Sequence, residues 1–222
     1  MRRYLIVTWV VVAKMNAQVQ PDHYYKNYDT KERFCSYWHQ IQEILSLNPK
    51  SILEIGIGNG FVSKYLKRRG FNVITLDIDR RLNPDVAGSV LNIPFSDETF
   101  EVVACYELLE HLPYENFKRA MSEIFRVSSS HALLSLPDVN RIYRLCVQIP
   151  KIGEFKKLIP FPRFRKPIHH FDGQHYWEIG KAGYPLKRIL DDINKAKFNV
   201  ERTYRVFEMP YHRLFILKKI KQ

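Results

Sequence analysis

The chain has 222 residues, of which 45% are hydrophobic and 14% aromatic. This composition can bury the core of one domain and excludes general disorder. The formal net charge is +12, and it is unevenly distributed: residues 1–140 hold 16 Lys and Arg against 16 Asp and Glu, whereas the remaining 82 hold 19 against 7. The positive excess therefore belongs entirely to the C-terminal part.

The cysteines indicate the redox environment. Cys35, Cys105 and Cys146 are widely separated and match neither a metal-ligand spacing nor a disulfide framework. They predict a reduced, cytoplasmic protein, and a peripheral position at a membrane is left open.

The N-terminus begins like a signal peptide, with Met1–Arg3 followed by an apolar run at 4–13. The run has ten residues, whereas a membrane-spanning helix needs ~20 and a secretory signal usually has ~15 to 30, so both interpretations fall short. Because Met15 opens a polar stretch, residues 1–14 are either an upstream addition or a short element packed on the domain. We treat 1–28 as an extension and 29–222 as one folded domain.

Helical and strand patterns alternate along the folded domain. After an N-cap signal at 29–32, the residues Phe34, Trp38, Ile41 and Leu45 recur at helical spacing. Strand patterns follow at 51–54, 71–77, 100–106 and 131–136, and helical patterns at 62–70, 117–124 and 186–193. This alternation predicts a parallel sheet with helices on both faces. Two final strands, 199–207 and 211–217, predict a C-terminal antiparallel hairpin.

The rhythm changes after the fourth strand pattern. Residues 139–149 allow a helix, and the stretch 150–172 contains Pro150, Pro160, Pro162 and Pro167. We predict an insertion or lid at 150–172.

The most specific motif is a glycine turn between the first strand and a helix, with Glu54 followed by Gly56, Gly58 and Gly60. Glycine is needed where the chain turns sharply and a ligand approaches the backbone. A dinucleotide site would have its third glycine at position 61, which is Phe61, so this spacing disfavours a nicotinamide cofactor.

The turn resembles motif I of the class I S-adenosylmethionine-dependent methyltransferases, and three later segments resemble that family in the same order. Asp77 ends the second strand, 88–103 resembles the family's G-D-a-x-x-L-P-F passage with Ser89 in place of Asp, and 106–113 resembles its x-E-V-L-E-H-L-P segment. The resemblance implies an α/β, Rossmann-like, doubly wound sheet of seven mostly parallel strands, and S-adenosylmethionine as cofactor.

The resemblance also implies which residues hold the methyl donor. Asp77 would accept hydrogen bonds from the ribose hydroxyls, with Asp79 as a rival, and Val90 would pack on the adenine. Tyr28 resembles a tyrosine of the family's N-terminal lid, although packing of the first helix is an equal alternative. The full expected donor-binding set is Glu54, Gly56, Gly58, Gly60, Asp77, Ser89, Val90, Tyr106 and Tyr28.

A catalytic base is needed only if the acceptor must lose a proton. The candidates are His111, Glu107 and His175, followed by His169 and His170. Each has a structural alternative, since a histidine is more often hydrogen bonded within the fold and the charge of Glu107 suits a helix start. His169, His170 and His175 lie close together in the sequence but lack an accompanying cysteine. Because methyl transfer also needs no metal, we predict no metal site.

The basic segment Lys151 to His170 indicates the acceptor. Its six Lys and Arg face one acid, Glu154, and alternate with apolar side chains that include Phe155, Phe161 and Phe164. It predicts an anionic acceptor: an RNA, a lipid-linked substrate at a membrane surface, or a small metabolite. The alternative is a solvated basic loop that binds no acceptor. The alternative to an enzyme is an inactive S-adenosylmethionine-binding protein whose basic segment binds nucleic acid or a membrane.

Overall fold

The computed structural model describes residues 18–26, 28–163 and 165–220. The apolar run at 4–13, Met15 and Phe164 therefore lie outside the described residues. Among the described helices, none combines the length and apolar character needed to cross a bilayer.

Within residues 18–26, 28–163 and 165–220, the structure contains nine strands and four α-helices. The strands are β1 (Ile52–Ile55), β2 (Val73–Asp77), β3 (Val86–Ala87), β4 (Phe100–Tyr106), β5 (Ser128–Pro137), β6 (Ile142–Ile149), β7 (Gly153–Pro160), β8 (Phe198–Arg205) and β9 (His212–Lys219). The helices are α1 (Lys31–Leu47), α2 (Phe61–Arg68), α3 (Phe117–Val127) and α4 (Leu186–Lys195).

Seven strands form one sheet in the order β3-β2-β1-β4-β5-β9-β8. Strands β1 to β5 are parallel, and β9 runs antiparallel to both β5 and β8. This confirms the predicted doubly wound sheet and its C-terminal antiparallel hairpin. The strand order reverses between β1 and β4, and ligands of open α/β sheets bind outside the carboxyl ends of the strands at such a point.

Alternating residues of the central strands build a core on each face of the sheet. In β4, Val103 and Cys105 contribute to the cluster that contains α3, α4 and Trp177, whereas Val102 and Ala104 contribute to the cluster beneath α1 and α2. Helices cover both faces of the sheet, so a ligand can reach the sheet at the carboxyl ends of its parallel strands.

Helix α1 buries a different face from the one that hydropathy predicts. Phe34 and Trp38 are 43% and 57% exposed, while Tyr37, Ile41 and Ile44 are buried. The difference arises because the buried face includes polar residues with partners elsewhere in the fold. Glu43 is one of them, since it accepts a hydrogen bond from the Tyr204 hydroxyl at 2.7 Å.

The helix allowed at 139–149 is wrong. Those residues include β6, which pairs with β7 in a separate two-stranded hairpin, so that Val147 lies opposite Phe155. The hairpin leaves the domain at Arg141 and returns at Phe161, whose N–H donates to the Arg141 carbonyl at 3.0 Å.

Candidate functional site

The glycine turn lies at the carboxyl end of β1, beside the point where the strand order reverses. Gly56 has φ +78°, and a Cβ there would lie 2.3 Å from Cδ1 of Leu108, so a larger residue would displace the neighbouring loop. Gly58 has φ +51°, and its Cβ would lie 3.4 Å from the ring of Tyr24. Both positions favour glycine through backbone conformation, and Gly56 also through lack of space.

Asp77 and Asp79 have different surroundings. The Asp77 carboxylate accepts hydrogen bonds from the N–H groups of Ile57 at 2.9 Å and Asp79 at 2.8 Å, which fixes it beneath the glycine turn. Asp79 caps the short helix Arg80–Leu82 and forms an ion pair with Arg81 at 2.8 Å. Burial raises the pKa of Asp77, whereas hydrogen bonding from Arg81 lowers the pKa of Asp79. The charge of Asp79 is therefore already compensated.

Glu54 is buried on the α2 side of β1. Burial raises the pKa of its carboxyl to about 7, and Oε2 has no hydrogen-bond partner among the described residues. Val90 is part of the core that contains Leu76, and the Ser89 hydroxyl accepts a hydrogen bond from the Leu91 N–H at 3.2 Å.

Tyr106 ends β4 with its ring in the core. Its hydroxyl donates to the carbonyl of Gln40 at 3.4 Å. The phenol therefore joins the sheet to α1.

Residues 18–26 lie across the glycine turn and the end of β4, and Tyr28 lies beside them. The Gln18 side chain donates to the His111 carbonyl at 2.9 Å, and Arg81 donates to Gln20 at 2.7 Å. The ring of Tyr24 covers Gly58. The predicted lid residue Tyr28 accepts a hydrogen bond from Arg33 at 3.0 Å.

Two carboxyl groups and a histidine follow β4. Glu107 has φ +45°, a strained conformation for a residue other than glycine. Glu110 is fully buried, and neither of its carboxylate oxygens meets a hydrogen-bond donor among the described residues. Burial and the charge of Glu107 hold the pKa of Glu110 well above its usual range. Burial, with the nearby His175, lowers the pKa of His111 to about 4.

A second loop brings His175 to the same place. Trp177 is fully buried and donates from Nε1 to the Leu112 carbonyl at 3.1 Å, while the Tyr176 N–H donates to the Glu110 carbonyl at 2.8 Å. The ring centroids of His111 and His175 are 4.9 Å apart. The structure thus brings together all three predicted base candidates, since Glu107 lies close enough to Glu110 for its charge to raise the pKa of that carboxyl, and Glu110 lies beside both histidines.

The other two predicted histidines have different surroundings. Nε2 of His169 contacts the backbone carbonyl of His175 at 2.8 Å, so His169 supports that loop. His170 is exposed.

Sequence reasoning missed three polar residues next to this cluster. Nδ1 of His175 lies 3.2 Å from Glu178, which also accepts a hydrogen bond from the Tyr211 hydroxyl. Burial opposes ionisation of Glu178, yet these two contacts lower its pKa to about 2. Nε2 of His212 lies 3.6 Å from Glu107. Tyr211 and His212 could have been found from the sequence. They lie at the start of the predicted final strand, and the start of an antiparallel strand lies at the carboxyl edge of its parallel neighbours.

A cleft of 540 Å³ lies between the β6–β7 hairpin and the ends of β8 and β9. Five cationic side chains line it: Arg141, Arg163, Lys166, Arg205 and Arg213. The buried Asp138 accepts from Arg213 at 2.7 Å and lies 3.6 Å from Arg205. Among the described residues, no ion pair engages Arg141, Arg163 or Lys166, so the cleft carries unneutralised positive charge.

The hairpin has two unlike faces. Its inner face is tied to the domain by Arg144, which donates to the Glu208 carbonyl at 2.9 Å, and by Lys156, which pairs with the Glu208 carboxylate at 3.1 Å. Side chains of paired residues lie on the same face of a hairpin. The pairs that alternate with Arg144 and Lys156 therefore form the outer face, and most of their side chains are apolar. They are Tyr143, Leu145, Val147, Ile149, Phe155 and Ile159, all exposed by 39% to 60%.

Comparison with known proteins gives a family match for the centre of the chain. Residues 53–136 match the family described as "Methyltransferase domain". An uncharacterized protein of Methanocaldococcus jannaschii is 33% identical over 101 residues, which cover 42% of this chain and 44% of that protein. The ubiquinone biosynthesis O-methyltransferase of Hydrogenovibrio crunogenus is 27% identical over 88 residues, which cover 33% of this chain and 36% of that enzyme. The chain thus spans less than half the length of these two relatives.

A solved structure shows the same fold. The 1,6-didemethyltoxoflavin-N1-methyltransferase of Burkholderia thailandensis, solved with its substrate and S-adenosylhomocysteine, superposes with a TM-score of 0.60 over 90% of this chain and 85% of that one. The sequence identity is 13%. The likeness supports the Rossmann-like sheet.

Proposed function

Residues 53–136 of this chain form a methyltransferase domain of the class I S-adenosylmethionine-dependent family, as the sequence predicts, and from this premise we propose that the protein transfers a methyl group from S-adenosylmethionine to an anionic acceptor. The observation that carries the proposal is the glycine turn above Asp77, at the point where the strand order reverses and next to the Glu107–His111 segment. It combines a donor site with ionisable groups at one edge of the sheet.

The donor site is formed by the glycine turn, Asp77, residues 18–26 and Tyr28. Asp77 is fixed by two backbone N–H groups and keeps acceptor capacity for ribose hydroxyls. Gly58 allows close approach to the backbone, and Tyr24 and Tyr28 cover the turn from above. When bound, S-adenosylmethionine supplies an activated methyl group, so the protein mainly has to align the acceptor with it.

The acceptor side is positively charged. Arg141, Arg163 and Lys166 line the cleft at the carboxyl edge of β5, where they suit a phosphate or carboxylate of the acceptor. If the methyl group goes to a hydroxyl, the new C–O bond forms as the methyl–sulfur bond breaks, and the hydroxyl proton must be taken up. His111 is the favoured base because its lowered pKa keeps it neutral at pH 7; His175 and Glu107 are the alternatives.

We further propose that the outer face of the β6–β7 hairpin contacts a negatively charged lipid surface. An apolar face bordered by cations suits a bilayer, where apolar side chains enter the interface and Lys and Arg meet anionic headgroups. Residues 141–170 contain eight Lys and Arg and one acid. Branched aliphatic residues such as Val147 and Ile149 have no ring to stack on bases, so this face favours a membrane over RNA.

The donor site is tested by calorimetric titration with S-adenosylhomocysteine. We expect Gly58→Arg to abolish binding because the new side chain would fill the turn, and Asp77→Asn to weaken binding at least tenfold through lost ribose contacts. The control is Asp79→Asn, whose carboxylate is engaged by Arg81 and whose loss should change affinity less than threefold. Unchanged affinity in Gly58→Arg would show that the donor binds elsewhere.

Catalysis is tested by tritium transfer from labelled donor into lipid, RNA and metabolite fractions. Transfer into an anionic lipid or metabolite supports the proposal. Donor binding without transfer into any fraction would instead support the inactive S-adenosylmethionine-binding alternative.

A further inference from the structure

We propose that Glu110, His111 and His175 bind a divalent transition-metal ion at the carboxyl end of β4. Each residue offers one ligand atom, and the three atoms lie within 4.8 Å of one another. Two imidazoles and one carboxylate are a common ligand set for such metals. This site departs from the sequence-based prediction that the chain holds no metal.

The surroundings of Glu110 are the first argument. Its side chain is fully buried, and both carboxylate oxygens lack a hydrogen-bond donor among the described residues. A buried carboxylate without partners is costly, and buried charges are normally paired or coordinated to metals. Glu107 adds negative charge beside it, and its Oε1 is also buried without a partner. A cation at this place would neutralise both groups.

The orientation of the two histidines is the second, independent argument. Nδ1 of His111 lies 3.1 Å from the Gln174 carbonyl and 2.9 Å from Oε1 of Gln18. Both are acceptors, so Nδ1 carries the proton and Nε2 keeps its lone pair. In metal sites, a ligating histidine donates its other ring N–H to a carbonyl or carboxylate in this way.

His175 shows the same arrangement with a carboxylate. Its Nδ1 lies 3.2 Å from Oε1 of Glu178. The Tyr211 hydroxyl also lies 3.2 Å from this Nδ1, but it donates its own proton to Glu178. Both oxygens therefore accept from His175, and Nδ1 carries the proton. Nε2 of His175 is then left for a metal. Glu178 and Tyr211 act as positioning residues.

The ligand types favour Mn²⁺, Fe²⁺, Co²⁺ or Zn²⁺ over Mg²⁺ and Ca²⁺, which prefer oxygen ligands. Three protein ligands also leave coordination positions for water or another molecule. A role for these positions in holding an acceptor oxygen and lowering the pKa of its hydroxyl rests on the proposed function, with Glu107 as the base in place of the ligands His111 and His175, whereas the metal site itself does not.

The test is Mn²⁺ binding to the full chain, stripped with a chelator and followed by electron paramagnetic resonance. We expect saturable binding of one Mn²⁺, weakened at least tenfold in Glu110→Gln and in His175→Gln. The matched controls are Glu115→Gln, an exposed carboxyl on the same segment, and His131→Gln, which pairs with Glu201 near the opposite end of β5. Both controls should bind like the unaltered protein.

Thermal melting of each variant establishes that it is folded, and either ligand variant alone suffices. Absence of saturable binding up to millimolar Mn²⁺, or equal affinity in folded Glu110→Gln or His175→Gln, would overturn the metal site.

Titration with S-adenosylhomocysteine in metal-free buffer separates this proposal from the methyltransferase proposal. Metal binding without donor binding would refute only the proposed function, and donor binding without metal binding would refute only the metal site.

Discussion

At the residue scale, Glu54 links the proposed donor site to stability. Its pKa in the folded protein is about 7, against 4.5 for the unperturbed group. The protonated form is therefore the one that folding favours, and its stabilising contribution is fully present below pH 4.5 and is lost as the pH rises through 7. Above pH 7 the buried charge costs on the order of 3 kcal/mol.

We expect Glu54→Gln to be more stable than the unaltered protein at pH 8, with the advantage shrinking as the pH falls from 7 to 4.5. The reason is that Gln has a similar volume and no charge to bury. Melting temperatures of both proteins between pH 4.5 and pH 8 measure the effect, with the exposed Glu115→Gln as control. A constant difference across this range would contradict the raised pKa of Glu54.

Single residues also show what the sequence could reveal. Gly58 and Asp77 were predictable because their chemistry depends on local spacing. No motif marks the contact of Tyr24 with Gly58. The burial of Glu110 leaves no sign in the sequence either, because Tyr176 and Trp177, which pack beside it, lie far away in the chain. Long-range packing decides such roles.

At the scale of elements, residues 18–26 and Tyr28 lie over the proposed donor site. Their contacts with His111, Arg81 and Gly58 are few, and short segments held by few contacts open readily. If the donor binds the closed form better than the open form, the bound donor shifts this equilibrium toward the closed form.

We expect saturating S-adenosylhomocysteine to slow tryptic cleavage after Lys26 at least tenfold, because cleavage needs an open segment that binds the donor poorly. The Lys26 side chain is 74% exposed, so access to the side chain itself is not limiting. Cleavage after Lys151, in the turn of the β6–β7 hairpin, provides the internal control and should keep its rate. Fragment mass spectrometry reports both cuts, and equal slowing at the two sites would contradict a cover.

Most helices and strands are predictable from the sequence, and the failures at β3 and β6 have different causes. The core strands carry long apolar runs, so β4 was predicted with its observed bounds. In β6, Tyr143, Leu145, Val147 and Ile149 recur at every second position, which is the pattern of a strand with one apolar face. This period-two pattern contradicts the helix that we allow at 139–149. The two-residue strand β3 is too short to leave a pattern.

At the scale of the whole molecule, the positive charge is concentrated where the acceptor would approach. The residues from 141 onward carry the entire excess of +12, and they include the hairpin and the cations of the cleft. The half that contains the glycine turn is balanced. Charge and apolar surface together favour one face of the protein as the membrane-facing side.

We expect the protein to sediment with vesicles that contain phosphatidylserine, and this binding to fall as salt screens the headgroups. Ile152→Asp should weaken it at least fivefold, because Ile152 is 80% exposed at the hairpin turn. Ile220→Asp is the control, since Ile220 is 50% exposed just beyond β9. Equal loss in both variants, or tighter binding to RNA that Ile152→Asp leaves unchanged, would contradict a membrane-facing hairpin.

The hydrogen bond between Phe161 and Arg141 has a consequence for the history of such a chain. Because the two ends of the hairpin meet, the segment between them can be gained or lost as one piece without stretching the flanking backbone. Relatives that act on unlike acceptors could then differ by a single insertion event, while the donor half stays the same. The hairpin is thus an insertion between β5 and β8 that can be exchanged as one unit.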